Sequence, residues 1–233
     1  MKYANFAFVA GAALIAGASA SAGIVSWSGQ LEMVPEGPIS FAFGAMANDN
    51  NMSLYIETTG HVLENQLMAD VPGQDGNYHR FNRPAQPFGI PAGTVIDSYY
   101  IHQDIVGSDP NKMAMMTFTI TFSQPILGLI VGGDWDDASL FRTTLDDSDF
   151  LAGPNVDHTR NADGRRRGAL EGNAAAEFLT ISNDGYTLTG SLHTRAHHVD
   201  NVRVITQGSI IPTPGGAALL GLAGVLTFRR RRA

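Results

Sequence analysis

The chain has 233 residues, no cysteine, and 22 acidic against 15 basic side chains, a formal charge of −7. This excludes disulfides, thiolate metal sites and thiol catalysis within the chain. Lys2 and Arg229–Arg232 take five of the basic residues, leaving ten against all 22 acidic ones between them, a net of −12. That field repels polyanions, so no nucleic-acid partner is expected, and it attracts divalent cations.

In chain order, the first 22 residues read as a secretory signal. Lys2 gives a positive start, Ala7–Ala18 is an apolar run, and Ala20-Ser21-Ala22 is a small-x-small cleavage site. Cutting is expected after Ala22, with Ala20 offering a second site two residues earlier. From Gly23 to Ile210 the chain is rich in Gly, Pro, Asn and Asp punctuation between short apolar runs. Strand candidates are Ile24–Trp27, Ile39–Phe43, Met52–Glu57, Thr94–His102, Thr117–Phe122, Ile126–Val131 and Val202–Thr206. In Thr117–Phe122 the aromatic and aliphatic side chains alternate with threonines, the period of a half-buried antiparallel strand. Glu177–Leu192 reads as a hairpin turning at Asp184-Gly185. Leu145–Leu151 reads as one short turn of helix, and Asn82–Gly93, with three prolines, as a long loop. The fold expected is all-β: a single antiparallel β-sandwich, jelly-roll-like, over residues 23–210.

The last 23 residues, Ile211–Ala233, hold three parts in order. Pro212-Thr213-Pro214 breaks regular structure, because proline lacks an amide hydrogen. Gly215–Phe228 is an uncharged apolar helix candidate, and Arg229, Arg230, Arg231 and Arg232 follow at once. A helix of that length spans only about 21 Å, short of a ~30 Å hydrocarbon core. It suits a transient stop in the inner membrane, with the arginines retained on the cytoplasmic side.

Together with the signal peptide, this tail resembles the PEP-CTERM sorting signal, with Thr213 where the family most often has glutamate. The resemblance implies that an exosortase, a membrane protease, removes the tail and leaves the product released or attached at the cell surface. It also implies an association with exopolysaccharide. The stretches GTVIDSYYIHQDIVG (Gly93–Gly107), SQPILGLIV (Ser123–Val131), LDDSDFLAG (Leu145–Gly153) and DNVRVIT (Asp200–Thr206) resemble a recurring module of the same proteins, which implies a secreted β-sandwich and no catalytic residues.

Four groups of residues could carry chemistry. Asp134, Asp136, Asp137, Asp146, Asp147 and Asp149 are oxygen donors of the kind Ca²⁺ takes from loops, although the spacing is not that of an EF-hand. A solvated acidic loop is the competing reading. His193, His197 and His198 are strand-spaced, which sets His193 and His197 ~13 Å apart, too far for one ion. Arg160 and Arg165–Arg167 could hold an anionic sugar or simply offset nearby aspartates. Trp27, Trp135, Tyr99 and Tyr100 are available to stack on sugar rings. No nucleophile elbow, zinc-protease helix or Walker loop occurs, so no catalytic residue is assigned. The expected function is a non-enzymatic exported surface or matrix protein; the alternative is a calcium-dependent carbohydrate-binding module.

Overall fold

A computed structural model describes residues 23–34, 40–70, 77–78, 88–109, 111–132, 145–152, 156, 177–195 and 198–208, without the side chains of Asp146 and Asp147. The signal segment, with Ala20 and Ala22, and the sorting segment, with Pro212–Pro214 and Arg229–Arg232, lie outside the described residues. So do Asp134, Asp136, Asp137 and Trp135. No helix among the described residues is long and apolar enough to cross a membrane.

The fold is all-β. One five-stranded sheet, sheet A, runs β1 (Ile24–Gly29), β8 (Met113–Phe122), β11 (Thr187–Arg195), β10 (Phe178–Ile181), β5 (Asn77–Tyr78). The other, sheet B, runs β2 (Leu31–Val34), β3 (Met52–Val62), β7 (Val95–Asp104), β12 (Val199–Gln207), β9 (Ile126–Ile130). A two-stranded ribbon joins β4 (Leu67–Ala69) to β6 (Phe88–Ile90). Pairing is antiparallel except between β2 and β3, which run parallel. β1 ends at Gly29 in sheet A, and the chain resumes at Leu31 as β2 in sheet B, beside β3.

Two cores follow from this arrangement. The first lies between the sheets: Ile24, Phe118, Ile120, Phe122, Leu179 and Leu188 from sheet A meet Met52, Leu54, Tyr99, Ile101, Val202 and Val204 from sheet B. Each such side chain, fully removed from water, contributes about 1.5–3 kcal/mol. The second core lies on the other face of sheet B, where Phe41, Leu67, Ala69, Ile90, Leu145 and Leu151 cover Tyr55, Tyr100, Ile130 and Ile205. Sheet B is therefore buried on both faces, and sheet A on one.

The alternating strand at Thr117–Phe122 is part of β8, and the hairpin at Asp184-Gly185 joins β10 to β11. Gly185 takes a φ of 79° in that turn. The helical turn is a 3₁₀ helix over Asp146–Ala152. Two expectations are corrected. Ser40–Phe43 is not a strand: Ser40 makes a single bridge, and the chain turns where Ala45 N–H donates to Ala42 O (2.9 Å). The cause is Asp104, whose carboxylate takes the Gly44 N–H at 2.6 Å and holds Gly44 at a φ of 82°. The proline-rich loop is interrupted by β6, which pairs with β4 through Leu67, Met68 and Ala69 and buries Ile90.

Candidate functional site

Two surfaces follow from the sheets, one sealed and one open. The sealed one is the outer face of sheet B. Arg203 on β12 sits opposite Tyr100 on β7 and is fully buried. In a strand with alternating faces, Val202 and Val204 enter the core between the sheets and Arg203 faces the other way. There its Nε donates to Glu57 Oε2 and its Nη2 to Glu57 Oε1, both at 2.7 Å. Nη1 donates to the Leu145 carbonyl at 2.8 Å and to Ser148 Oγ. Nη2 also reaches Asp149 Oδ1 at 3.3 Å, and the guanidinium lies 5.1 Å from the Tyr100 ring centroid. Ser98 Oγ donates to Glu57 Oε2 at 2.6 Å. Burial works against the Arg203 charge, but the Glu57 charge and its hydrogen bonds outweigh it and raise Arg203 above the usual arginine range. The guanidinium thus clamps the 3₁₀ helix, and the acidic residues it carries, onto sheet B.

Beside this clamp, His102 Nδ1 and Asn201 Oδ1 are 2.7 Å apart, both buried, with the Phe41 ring tilted against the imidazole at 5.4 Å. Asp104 closes the row. Its Oδ2 takes the Gly44 amide, its Oδ1 has no hydrogen-bond partner among the described residues, and its backbone carbonyl takes the Asn48 N–H at 2.8 Å. Burial pushes the Asp104 carboxyl up to about 6, with the Gly44 N–H pulling the other way. These groups are covered by Phe41 and its neighbours, so they hold the covering layer in place.

The open surface is the outer face of sheet A. Register places Ser26, Thr121 and Thr187 in one row across three strands, and Ser28, Thr119, Thr189 and Thr180 in the next across four. Ser26, Ser28 and Thr189 are exposed, and the other four are half-buried. Hydroxyl oxygens of Thr119 and Thr189, and of Thr121 and Thr187, lie 3.3 Å apart. Rows repeat about every 6.8 Å along the strands and about 4.8 Å across them. Not one Asp or Glu occurs in the five strands of sheet A, in a chain with 22 of them. Each hydroxyl both donates and accepts, so this face suits a neutral, hydroxyl-rich ligand better than an ion.

Of the residues singled out in the sequence, Asp149 is described and pairs with Arg203. Asp146 and Asp147 start the 3₁₀ helix, their side chains outside the described residues. Among the described residues no group of three His, Asp or Glu side chains converges as a metal site would. His193 stands on β11 opposite Met115, and His198 N–H donates to Arg195 O in the turn to β12 (2.9 Å); His197 lies outside the described residues. So do Arg160 and Arg165–Arg167. Trp27 is 44 % exposed on β1, but Tyr99 and Tyr100 are fully buried. Those two tyrosines are therefore not sugar platforms. Sheet B is covered on both sides, so consecutive residues facing opposite ways are both lost to solvent.

Glu57, Ser148, Arg203 and the His102–Asn201 pair were not anticipated. The one signal for them was a charged residue inside the apolar run Val202–Ile205. No protein family model matches the chain, and no curated protein or solved structure matches it.

Proposed function

We propose that the chain is a non-enzymatic exported protein of the cell surface or extracellular matrix, working through the open hydroxyl face of sheet A. The observation that carries this reading is that face: two rows of Ser and Thr side chains, free of carboxylates, on a protein whose acidic residues lie elsewhere. A neutral exopolysaccharide is the partner such a face fits. Export by the segment ending at Ala22, transient anchoring in the inner membrane, and trimming by an exosortase-type protease at Pro212-Thr213-Pro214 complete the reading. It is supported by the described strands running from Ile24 to Gln207, between the two segments. The nested pairing of β7 with β12 and of β8 with β11 supports a jelly-roll-like winding of the sandwich.

A second reading, a calcium-dependent carbohydrate-binding module, draws on the clamp that holds the Asp146–Ala152 helix rigidly against sheet B. Rigid loops bearing carboxylates are what Ca²⁺ requires. Affinity electrophoresis through gels of neutral polysaccharide, with and without chelator, separates the two. Retardation that survives chelation supports the hydroxyl face, and retardation abolished by chelation supports calcium. No retardation in any neutral polysaccharide sinks both. The intact mass of the native product tests the two cuts.

A further inference from the structure

The niche around Gly23 points to a second consequence of export, and this inference rests on the export reading above. Gly23 is the residue directly after the expected cut. Its φ is 71°, a left-handed conformation, and a Cβ built on it would lie 2.0 Å from the Tyr99 hydroxyl and 3.5 Å from Asp97 Oδ2. Its carbonyl accepts the Ser123 N–H at 2.6 Å, which seats it at the start of β1. Only glycine fits this seat.

Asp97 is the other half of the niche. It is 1 % exposed, and its Oδ1 accepts the Gly60 N–H at 2.7 Å. No Lys, Arg or His among the described residues pairs with it. A buried carboxylate gains from a cation placed beside it. Among the described residues, Gly60 from β3, Thr206 opposite it on β12 and Tyr99 on its own strand lie beside it; of these three only Tyr99 titrates, and burial, with Asp97's charge adding to it, raises that phenol further above its usual range.

We propose that cleavage between Ala22 and Gly23 supplies that cation: the new α-ammonium of Gly23 becomes the counter-ion of Asp97 and locks the amino-terminal strand. In the cleavage, water adds across the peptide bond. Ala22 keeps the carboxylate, and Gly23 leaves with an amine that is protonated at neutral pH. The amine is one bond of about 1.46 Å from the Gly23 Cα, so the charge is born no more than about 6 Å from Asp97 Oδ2. Before the cut the same nitrogen is a neutral amide. Cleavage after Ala20 leaves two further residues and no charge at this place.

The test uses the full chain with Gly17–Ala22 replaced by the recognition sequence of a protease that cuts ahead of glycine. Thermal melting is measured before and after cutting, in the otherwise native chain and in Asp97→Asn. The expected result is a rise of several degrees on cutting that disappears in Asp97→Asn. Equal melting before and after the cut, or a rise that persists in Asp97→Asn, overturns the proposal. Should Asp97→Asn not fold, ¹³C-labelled glycine reports the Gly23 amine directly. Its pKa is expected above the ordinary range of about 7.7–8.0, and a value within or below that range overturns the pairing. The mass of the exported native protein is read separately. A start other than Gly23 removes the export cut as the source of the charge, while the melting data still decide whether Asp97 recognises it.

Discussion

Arg203 and Glu57 stand 146 positions apart in the chain and meet side by side, two nitrogens to two oxygens at 2.7 Å each, with neither side chain exposed to water. Such a pair is costly to bury and more costly to break. Removing one partner leaves the other charge stranded, at about 3–5 kcal/mol. Glu57→Leu and Arg203→Met are each expected to lose stability of that order in urea unfolding, and the double variant Glu57→Leu/Arg203→Met to lose distinctly less than their sum. Additive losses would mean that the two residues stabilise the fold independently.

Asp104 gives the protein a stability that depends on pH. Its carboxyl is raised by burial from 3.8 to about 6, so between those values the folded chain binds a proton that the unfolded chain has released. Stability from this group therefore falls as pH rises from about 4 to about 6 and stays low above that. Asp104→Asn, measured against the native chain by urea unfolding across that range, is expected to remove this slope. The relative gain of the variant should be larger at pH 7 than at pH 4.

The step from sheet A to sheet B depends on Gly29. Its φ is 87°, and a Cβ there would meet the Thr117 carbonyl oxygen at 2.3 Å, a backbone atom that cannot swing away. Gly44 has a similar φ of 82° but open space around it. Gly44→Ala is expected to cost about 1–2 kcal/mol for the left-handed conformation alone. Gly29→Ala should cost clearly more, with β1 no longer paired to β8. Thermal melting of the two variants, with hydrogen exchange at Thr119 and Thr121, whose amides face β1, checks both statements.

Thr119→Val and Thr189→Val remove the two central hydroxyls of the open face without changing side-chain shape much. Both sit on strands where β-branched residues are favoured, so the melting temperature is expected to hold within a few degrees. Retardation in neutral polysaccharide gels is expected to fall several-fold in the double variant. Unchanged retardation would move the contact away from this face.

What could be seen in the sequence was whatever depends on neighbours. The threonine–aromatic alternation of Thr117–Phe122 set the two faces of β8, and Asp184-Gly185 set the turn, because both are local. The second covering of sheet B was hidden. Its central strands carry Asp97, Ser98, His102, Gln103 and Asp104, all buried, so β7 does not show the unbroken apolar run that a doubly covered strand usually has. The partner of each polar group comes from far along the chain: Glu57 for Arg203, Asn201 for His102, Gly44 for Asp104. Short strands such as β2 and β6 owe their existence to a neighbouring strand more than to their own composition. The hydroxyl face was half legible, since the threonines were evident but their alignment across four strands requires the register.

The beginning of β7 gathers both ends of the described chain. Gly23, at one end, rests on Asp97 and Tyr99; Gly208, at the other, donates its N–H to Val95 O at 2.8 Å. Both ends therefore leave from the same pole, while Asp104, at the far end of the strand, lies roughly 30 Å away by the rise of an extended chain. A domain held by either end would stand upright on its support, with the Asp49–Lys112 loops at its crown and the flank of sheet A turned sideways to whatever lies beside it.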